Sequence, residues 1–179
     1  VYKRQVKYYY DILQEHEKEL KLKRAFDIIC SLIMIIILSP VLIILSVMIK
    51  LDSKGPVLFK QVRVTTYGRK FKIWKFRTMV NNADKLGTQV TTKGDARITR
   101  MGHLLRKVRL DELPQLFNVL KGDMTFVGTR PEVPKYTAHY TEEMMATFLL
   151  PAGVTSRTSI EYKDEEKLLE NAENADEVY

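Results

Sequence analysis

Cysteine is nearly absent. Cys30 is the one thiol in 179 residues, so an intramolecular disulfide and a thiolate zinc cluster are both excluded. Histidine is almost as scarce, and His16, His103 and His139 show no ligand spacing. With 8 Gly and 6 Pro the chain is not collagen-like or of low complexity, and 45% apolar residues exclude full disorder. No internal repeat is visible, nor a cleavable signal peptide, since no small-residue cleavage site follows the long apolar run. The most informative absence is charge. From Ile28 to Ile49, 22 consecutive residues carry none.

Charge elsewhere is distributed in blocks. Residues 1–24 sum to +3, residues 25–50 to 0, residues 51–130 to +11 and residues 131–179 to −7, giving the net +7. A basic central block implies an anionic partner, whether lipid headgroups, nucleic acid or a phosphorylated substrate. A chain that begins at Val1 and stops in an acidic stretch is expected to be part of a longer one.

As a straight helix the uncharged run would be roughly 33 Å long, enough to cross a bilayer core of roughly 30 Å. Two features favour a different topology. Ser39-Pro40 falls at its midpoint, and proline both lacks a donor and clashes with the preceding turn. Lys18, Lys21, Lys23 and Arg24 precede the run, while Lys50, Lys54, Lys60 and Arg63 follow it. Positive flanks tend to stay cytoplasmic, and one crossing cannot keep both there. A re-entrant hairpin broken at Ser39 and Pro40 can, with the Ser39 hydroxyl covering a carbonyl freed at the break.

The expected fold class is α+β and mostly helical: a re-entrant membrane helix hairpin plus a compact cytoplasmic domain holding a β-hairpin and interfacial amphipathic helices. Residues 1–24 form an N-terminal amphipathic helix, 25–50 the membrane segment and 51–179 the cytoplasmic domain. Val57–Val64 and Phe71–Arg77 alternate as strands joined around Tyr67-Gly68, with Lys75 and Arg77 on one face. Residues 81–95 have loop composition. Ile98, Met101, Leu104, Leu105 and Val108 recur at helical spacing among basic residues. Such a helix either lies in the headgroup layer or packs its stripe on the core.

The segment from Arg109 to Gly122 has a full helix grammar, with Asp111 suited to the N-cap, Pro114 to the first turn and Gly122 to the C-terminal stop. Asp111-Glu112 is then a capping pair. The surrounding cations offer another role. Arg106, Arg109, Lys75, Arg77 and Arg130 all fall on neighbouring elements. Two adjacent carboxylates among cations can hold Mg²⁺ with substrate phosphates, and a carboxylate can attack phosphorus.

Lys23-Arg24-Ala-Phe-Asp27, Ser39-Pro40, Phe71-x-x-x-Lys75-Phe-Arg-Thr-Met79, Arg97-Ile-Thr-Arg-Met-Gly102, Leu110 through Met124 and Val127-Gly-x-Arg-Pro-Glu132 occur in one order. In this the chain resembles the bacterial sugar transferases, small monotopic polyprenyl-phosphate phosphoglycosyl transferases, over roughly residues 21–156. The resemblance implies transfer of a sugar-1-phosphate from a UDP-sugar to polyprenyl phosphate such as undecaprenyl phosphate, with release of UMP. By position, Asp111 would be the covalent nucleophile and Glu112 its partner in metal or acid–base support. Lys75, Arg106 and Arg130 would bind phosphate or order the site, and Mg²⁺ would be the cofactor, held by Asp111 and Glu112. It further implies the cytoplasmic face of the bacterial plasma membrane, with membrane lipid as a partner. Thr129 and Thr65 depart from the proline and glycine common in that family, and Pro151-Ala-Gly-Val-Thr-Ser-Arg157 from its usual downstream segment.

Two other classes compete. A non-catalytic peripheral module binding anionic lipid accounts for the charge and the apolar run, but not for the ordered Asp111-Glu112 block. A membrane-anchored nucleic-acid binder lacks aromatics patterned among its basic residues, so no nucleic acid is expected. The sugar, the polyprenol length and the oligomeric state are not written in these residues.

Overall fold

The uncharged run is the middle of a much longer helix. In a computed structural model, which describes residues 4–83, 95–157 and 160, helix α1 covers Arg4–Glu15 and α2 covers Glu17–Asp52. The amphipathic helix expected over 1–24 is therefore divided by a turn at His16. Glu17 and Glu19 in the first turn of α2 favour a fresh start there, because carboxylates offset the positive end of the helix dipole.

Helix α2 stays helical across Ser39 and Pro40, which corrects the expectation that this pair interrupts it. Proline has no N–H to give the carbonyl four residues back, that of Ile36. The Ser39 hydroxyl donates to this same carbonyl at 2.8 Å. The acceptor that Pro40 leaves open is thus satisfied locally, and the helix continues.

Both ends of α2 are fastened to one polar body. Near its start Asp27, 3% exposed, accepts from the Thr125 hydroxyl at 2.6 Å and from the Phe126 amide at 3.3 Å. Lys23 lies 3.5 Å from Asp27, four residues away on the same helix face, and also donates to Thr125. Arg24 donates to the carbonyls of Val119 and Leu120 at 2.6 and 2.9 Å. At the other end the buried Arg77 donates to the carbonyls of Ser53, at 2.7 Å, Ile49 and Lys54. Between these clamps Leu32, Ile33, Ile36, Ile37, Ile43 and Ile44 are exposed.

The body is built from two small sheets and short helices. Strands β1 (Leu58–Val64) and β2 (Lys70–Phe76) pair antiparallel, from Leu58 opposite Phe76 to Val64 opposite Lys70. Tyr67 and Gly68 turn the chain with φ of 56° and 73°, as the hairpin reading requires. Strands β3 (Met124–Val127) and β4 (Ala152–Thr155) pair in parallel, an arrangement the sequence pattern did not announce. Gly128 and Gly153 allow it: a Cβ on Gly153 would stand 2.3 Å from the Gly128 nitrogen. Helices α3 (Arg100–Lys107), α4 (Gln115–Lys121) and α5 (Pro134–Thr137) complete the body. Val6 of α1 is buried, and α1 packs against the 3₁₀ segment Met144–Leu149.

Two apolar clusters hold these pieces. Leu45 and Ile49 of α2 meet Phe76 and Leu105, with Leu58, Met101, Leu110 and Leu113 around them. Phe71 and Ile73 meet Val119 and Met124. Each fully buried Leu, Ile or Phe contributes about 1.5–3 kcal/mol. The stripe of α3 is divided: Leu105 is fully buried, whereas Leu104 and Val108 are exposed. The loop expected over 81–95 and the acidic segment 161–179 fall largely or wholly outside the described residues.

Asp27 should matter for stability beyond its single charge. Asp27→Ala leaves Thr125 and the Phe126 amide without their acceptor inside the protein. We expect a loss of about 2–4 kcal/mol, with Asp27→Asn intermediate, read as a fall in Tm by thermal unfolding in detergent.

Candidate active site

The chain leaves α3 through a strained residue. Arg109 adopts φ 57° and ψ 21°, a left-handed conformation that costs a non-glycine residue about 1–2 kcal/mol. It feeds a 3₁₀ turn over Leu110–Glu112. Asp111 therefore lies in that turn and is not the N-cap of α4, which begins at Gln115 with Pro114 in the capping position. Pro114 has no amide to contribute, while Leu113 before it keeps helical dihedrals, φ −51° and ψ −37°. Leu110 and Leu113 meanwhile turn into the cluster around Leu45 and Ile49. The C-terminal stop is as expected, with Gly122 at φ 87°.

Asn118 sets α4 against β2. Its side-chain oxygen accepts from the Trp74 amide and its nitrogen donates to the Lys72 carbonyl, both at 2.9 Å. A helix side chain thus takes the place of a strand neighbour along the β2 edge. This registers Lys75, the next residue of β2, against the turn before α4: Lys75 Nζ lies 2.6 Å from Glu112 Oε1, both side chains 28% exposed.

Arg106 approaches from α3. Its Nε donates to the Thr78 hydroxyl at 3.0 Å, and α3 can come this near because residue 102 is glycine. A Cβ there would lie 2.0 Å from the Thr78 carbonyl oxygen. Thr78 and Gly102 were not singled out by sequence reasoning; their positions in the Lys75–Met79 and Arg97–Gly102 motifs were the available signal. Burial pushes the Asp111 carboxyl above the usual carboxylate range. Lys75 opposes the rise, Glu112 adds to it and Arg106 opposes it again. The structure therefore gathers Asp111, Glu112, Lys75 and Arg106.

The other expected residues lie elsewhere or do other work. Arg77 is committed to the end of α2, so the β-hairpin contributes one lysine here and not two cations. Arg130 sits on the loop after β3, its Nε 4.0 Å from Glu132 Oε1. Glu132 O accepts from the Val64 amide, and Arg63 donates to the Pro131 carbonyl, which ties this loop to β1. Ser39 and Pro40 lie in the middle stretch of α2. Asp95, clasped by Arg97, has its pKa lowered to about 2 through that hydrogen bond, and Arg97 also donates to the Ala83 carbonyl. Thr65 has a structural use: its hydroxyl donates to the Asp123 carbonyl at 2.8 Å and accepts from the Ala152 amide at 3.2 Å.

Among the described residues no three His, Cys, Asp or Glu side chains converge to hold a metal. A closed protein cage is therefore not formed by them. Two adjacent carboxylates do fit Mg²⁺, which favours few protein oxygens together with substrate phosphates and water.

Comparison with known proteins places this arrangement. The family model described as bacterial sugar transferase matches residues 18–179. The chain belongs to the bacterial sugar transferase family. It is 46% identical over 123 residues to the UDP-N-acetylgalactosamine-undecaprenyl-phosphate N-acetylgalactosaminephosphotransferase of Aeromonas hydrophila, covering 69% of this chain and 29% of that protein. To a putative undecaprenyl-phosphate N-acetylgalactosaminyl 1-phosphate transferase of Bacillus subtilis (strain 168) it is 41% identical over 135 residues, 75% of each chain. To the UDP-glucose:undecaprenyl-phosphate glucose-1-phosphate transferase of Escherichia coli (strain K12) it is 40% identical over 157 residues, 85% of this chain and 34% of that one. The chain thus spans about a third of two of these sugar transferases and three quarters of the third.

The raised pKa of Asp111 makes a stability prediction for this family member. An acid whose pKa is higher folded than unfolded stabilises the fold only while protonated, and that contribution is lost as pH rises through the folded value. Ionised Asp111 is therefore a cost at neutral pH. Asp111→Asn should raise Tm at pH 7, and the gain should vanish below the ordinary value of 3.8, where both states of the parent are protonated.

Proposed function

We propose that the chain is a phosphoglycosyl transferase working at the cytoplasmic face of a bacterial plasma membrane. It moves a sugar-1-phosphate from a UDP-sugar to a polyprenyl phosphate, undecaprenyl phosphate by analogy with its relatives, and so begins a membrane-bound glycoconjugate. The observation that carries this reading is the half-buried Asp111 beside the Lys75–Glu112 pair and Arg106, on a turn whose Leu110 and Leu113 pack against the end of the apolar helix. A candidate nucleophile with cations around it, close to the end of the apolar helix, suits attack on a phosphate presented at a membrane surface.

Asp111, ionised, attacks the phosphorus that bears the sugar. An Asp–O–P bond forms, the bond to the UMP phosphate oxygen breaks, and UMP leaves with the electron pair. A phosphate oxygen of the polyprenyl phosphate then attacks the same phosphorus, the Asp–O–P bond breaks, and the free carboxylate returns with polyprenyl-diphosphate-sugar as product. Lys75 and Arg106 supply fixed positive charge for the phosphates, a preorganised contribution of the kind that dominates phosphoryl transfer. Lys75 also holds Glu112 in place. From the family resemblance alone, Arg130 on the loop after β3 would add a further cation for substrate phosphate. Mg²⁺ held by Asp111 and Glu112 would neutralise charge on the donor diphosphate.

The topology proposed is monotopic. Arg24 and Asp27 bind α4 and β3, Arg77 binds the far end of α2, and Asn118 joins α4 to β2. One body holds both ends of the helix, which supports a path that keeps both ends on one side of a membrane and disfavours a single crossing. The positive flanks agree.

The deciding assay follows UMP release in nanodiscs with Mg²⁺, undecaprenyl phosphate and a panel of UDP-sugars. One sugar should support turnover, and Asp111→Asn should lower kcat roughly a thousandfold or more while leaving membrane association intact. A wild-type protein silent with every donor yet bound to anionic lipid would favour the peripheral-module reading. In a Cys30→Ser background, thiols placed at Glu17 and Ser53 should be labelled from the same side by an impermeant reagent. Labelling from opposite sides would refute the re-entrant path.

A further inference from the structure

The β1–β2 ribbon carries an arrangement that the catalytic reading does not use. Lys60 and Trp74 are directly opposite in the ribbon, and Lys60 Nζ lies 4.8 Å from the centroid of the indole. Lys121, at the end of α4, brings its Nζ to 4.3 Å from the same ring. Phe117, one helical turn before Lys121, lies 5.9 Å from Trp74. Cation–π attraction accounts for each lysine separately, but two ammonium groups on one ring repel each other. Among the described residues neither has a carboxylate within ion-pair distance. Within the described residues the pair lacks an anion.

Its position says which anion. Leu58 and Phe76 follow Lys60 and Trp74 on the same ribbon face, two residues along, and belong to the cluster around Leu45 and Ile49 of α2. On the other side Lys121 adjoins Leu120, whose carbonyl takes Arg24 near the start of α2. The two lysines and the indole are thus bracketed by the two places where the apolar helix joins the body. Tryptophan, apolar with one polar edge, is the side chain best suited to headgroup depth.

We propose that Lys60, Trp74 and Lys121 form a binding site for the phosphate of an anionic phospholipid headgroup. The site rests on the reading of α2 as membrane-embedded, and orients the body so that the turn carrying Asp111 faces the bilayer surface. It is separate from the Lys75 side of the ribbon, because adjacent residues of a strand point to opposite faces.

Trp74 and Cys30 are the only tryptophan and the only cysteine in the chain, so one reports this site and the other reports α2. The protein is placed in phosphatidylcholine–phosphatidylglycerol nanodiscs that carry a headgroup nitroxide on one lipid or the other. Quenching of Trp74 by labelled phosphatidylglycerol should exceed that by labelled phosphatidylcholine about fivefold for each lysine engaged. Lys60→Gln with Lys121→Gln should bring the ratio to parity. An environment-sensitive dye on Cys30, with an acyl-chain quencher, reads insertion independently. Quenched Cys30 dye with parity at wild-type Trp74 overturns the lipid site alone; an unquenched dye overturns the membrane reading and the site with it. In detergent without phospholipid, an equal Trp74 response to inorganic phosphate would reassign the site to free phosphate. A response to UDP would reassign it to the donor. Either result overturns the proposal.

Discussion

The fold depends on one constraint: an apolar helix of 36 residues must be fixed at both ends to the same polar body. The exposed apolar side chains of its middle give no attachment to that body, so the fastening falls to polar groups at the margins. Asp27, Lys23 and Arg24 tie the first part of α2 to β3 and to the end of α4, while Arg77 closes the last turn. These clamps use carbonyls and amides that would otherwise lack partners at helix and strand ends. Arg24 completes α4 where Gly122 ends it, and Arg77 completes α2. Each arginine joins two elements and caps one.

The candidate site inherits its geometry from this frame. Leu110 and Leu113 are drawn into the cluster around Leu45 and Ile49, which forces the chain through Arg109 and lifts Asp111 out of regular helix. Asn118 then sets the sliding position of α4 along β2, and with it the meeting of Lys75 and Glu112. Strain at Arg109 and burial of Asp111 both oppose folding. Their coincidence on adjacent turns fits a site that holds a carboxylate in a higher-energy state than water would. The departures from the family pattern do not touch this core. Thr65 replaces a glycine yet gains two hydrogen bonds of its own, and the turn at Thr129 is held by the parallel approach of β4.

Charge on this protein acts at several ranges. Ion pairs such as Lys75–Glu112 and Asp95–Arg97 fix local geometry. Among the described residues Lys60 and Lys121 converge on Trp74 without an acid beside them, a costly pattern for a protein interior and a reasonable one for a surface that meets phosphate. The net +11 of residues 51–130 is therefore divided among internal capping, the cluster around Asp111 and the exposed face of the β1–β2 ribbon. Composition alone assigns it to none of them.

Local signals determined much of the architecture. A 22-residue run without charge makes a long apolar helix, alternation with Tyr67-Gly68 makes a hairpin, and Gly122 stops α4, because each depends on nearest neighbours in the chain. The order of motifs around Asp111-Glu112 gave the family. What the sequence could not state was which polar residues are consumed by the fold. Arg77 and Lys75 are two residues apart in one motif, yet one caps a helix and the other meets Glu112. Ser39 and Pro40 read as an interruption, but the hydroxyl replaces the missing bond and the helix continues. Asp111 has the grammar of a cap, but the pull of two leucines toward α2 places it in a strained turn. The parallel pairing of β3 with β4 joins segments about thirty residues apart. Each of these outcomes is decided by a partner distant in sequence, and only tertiary packing brings such partners within hydrogen-bond reach.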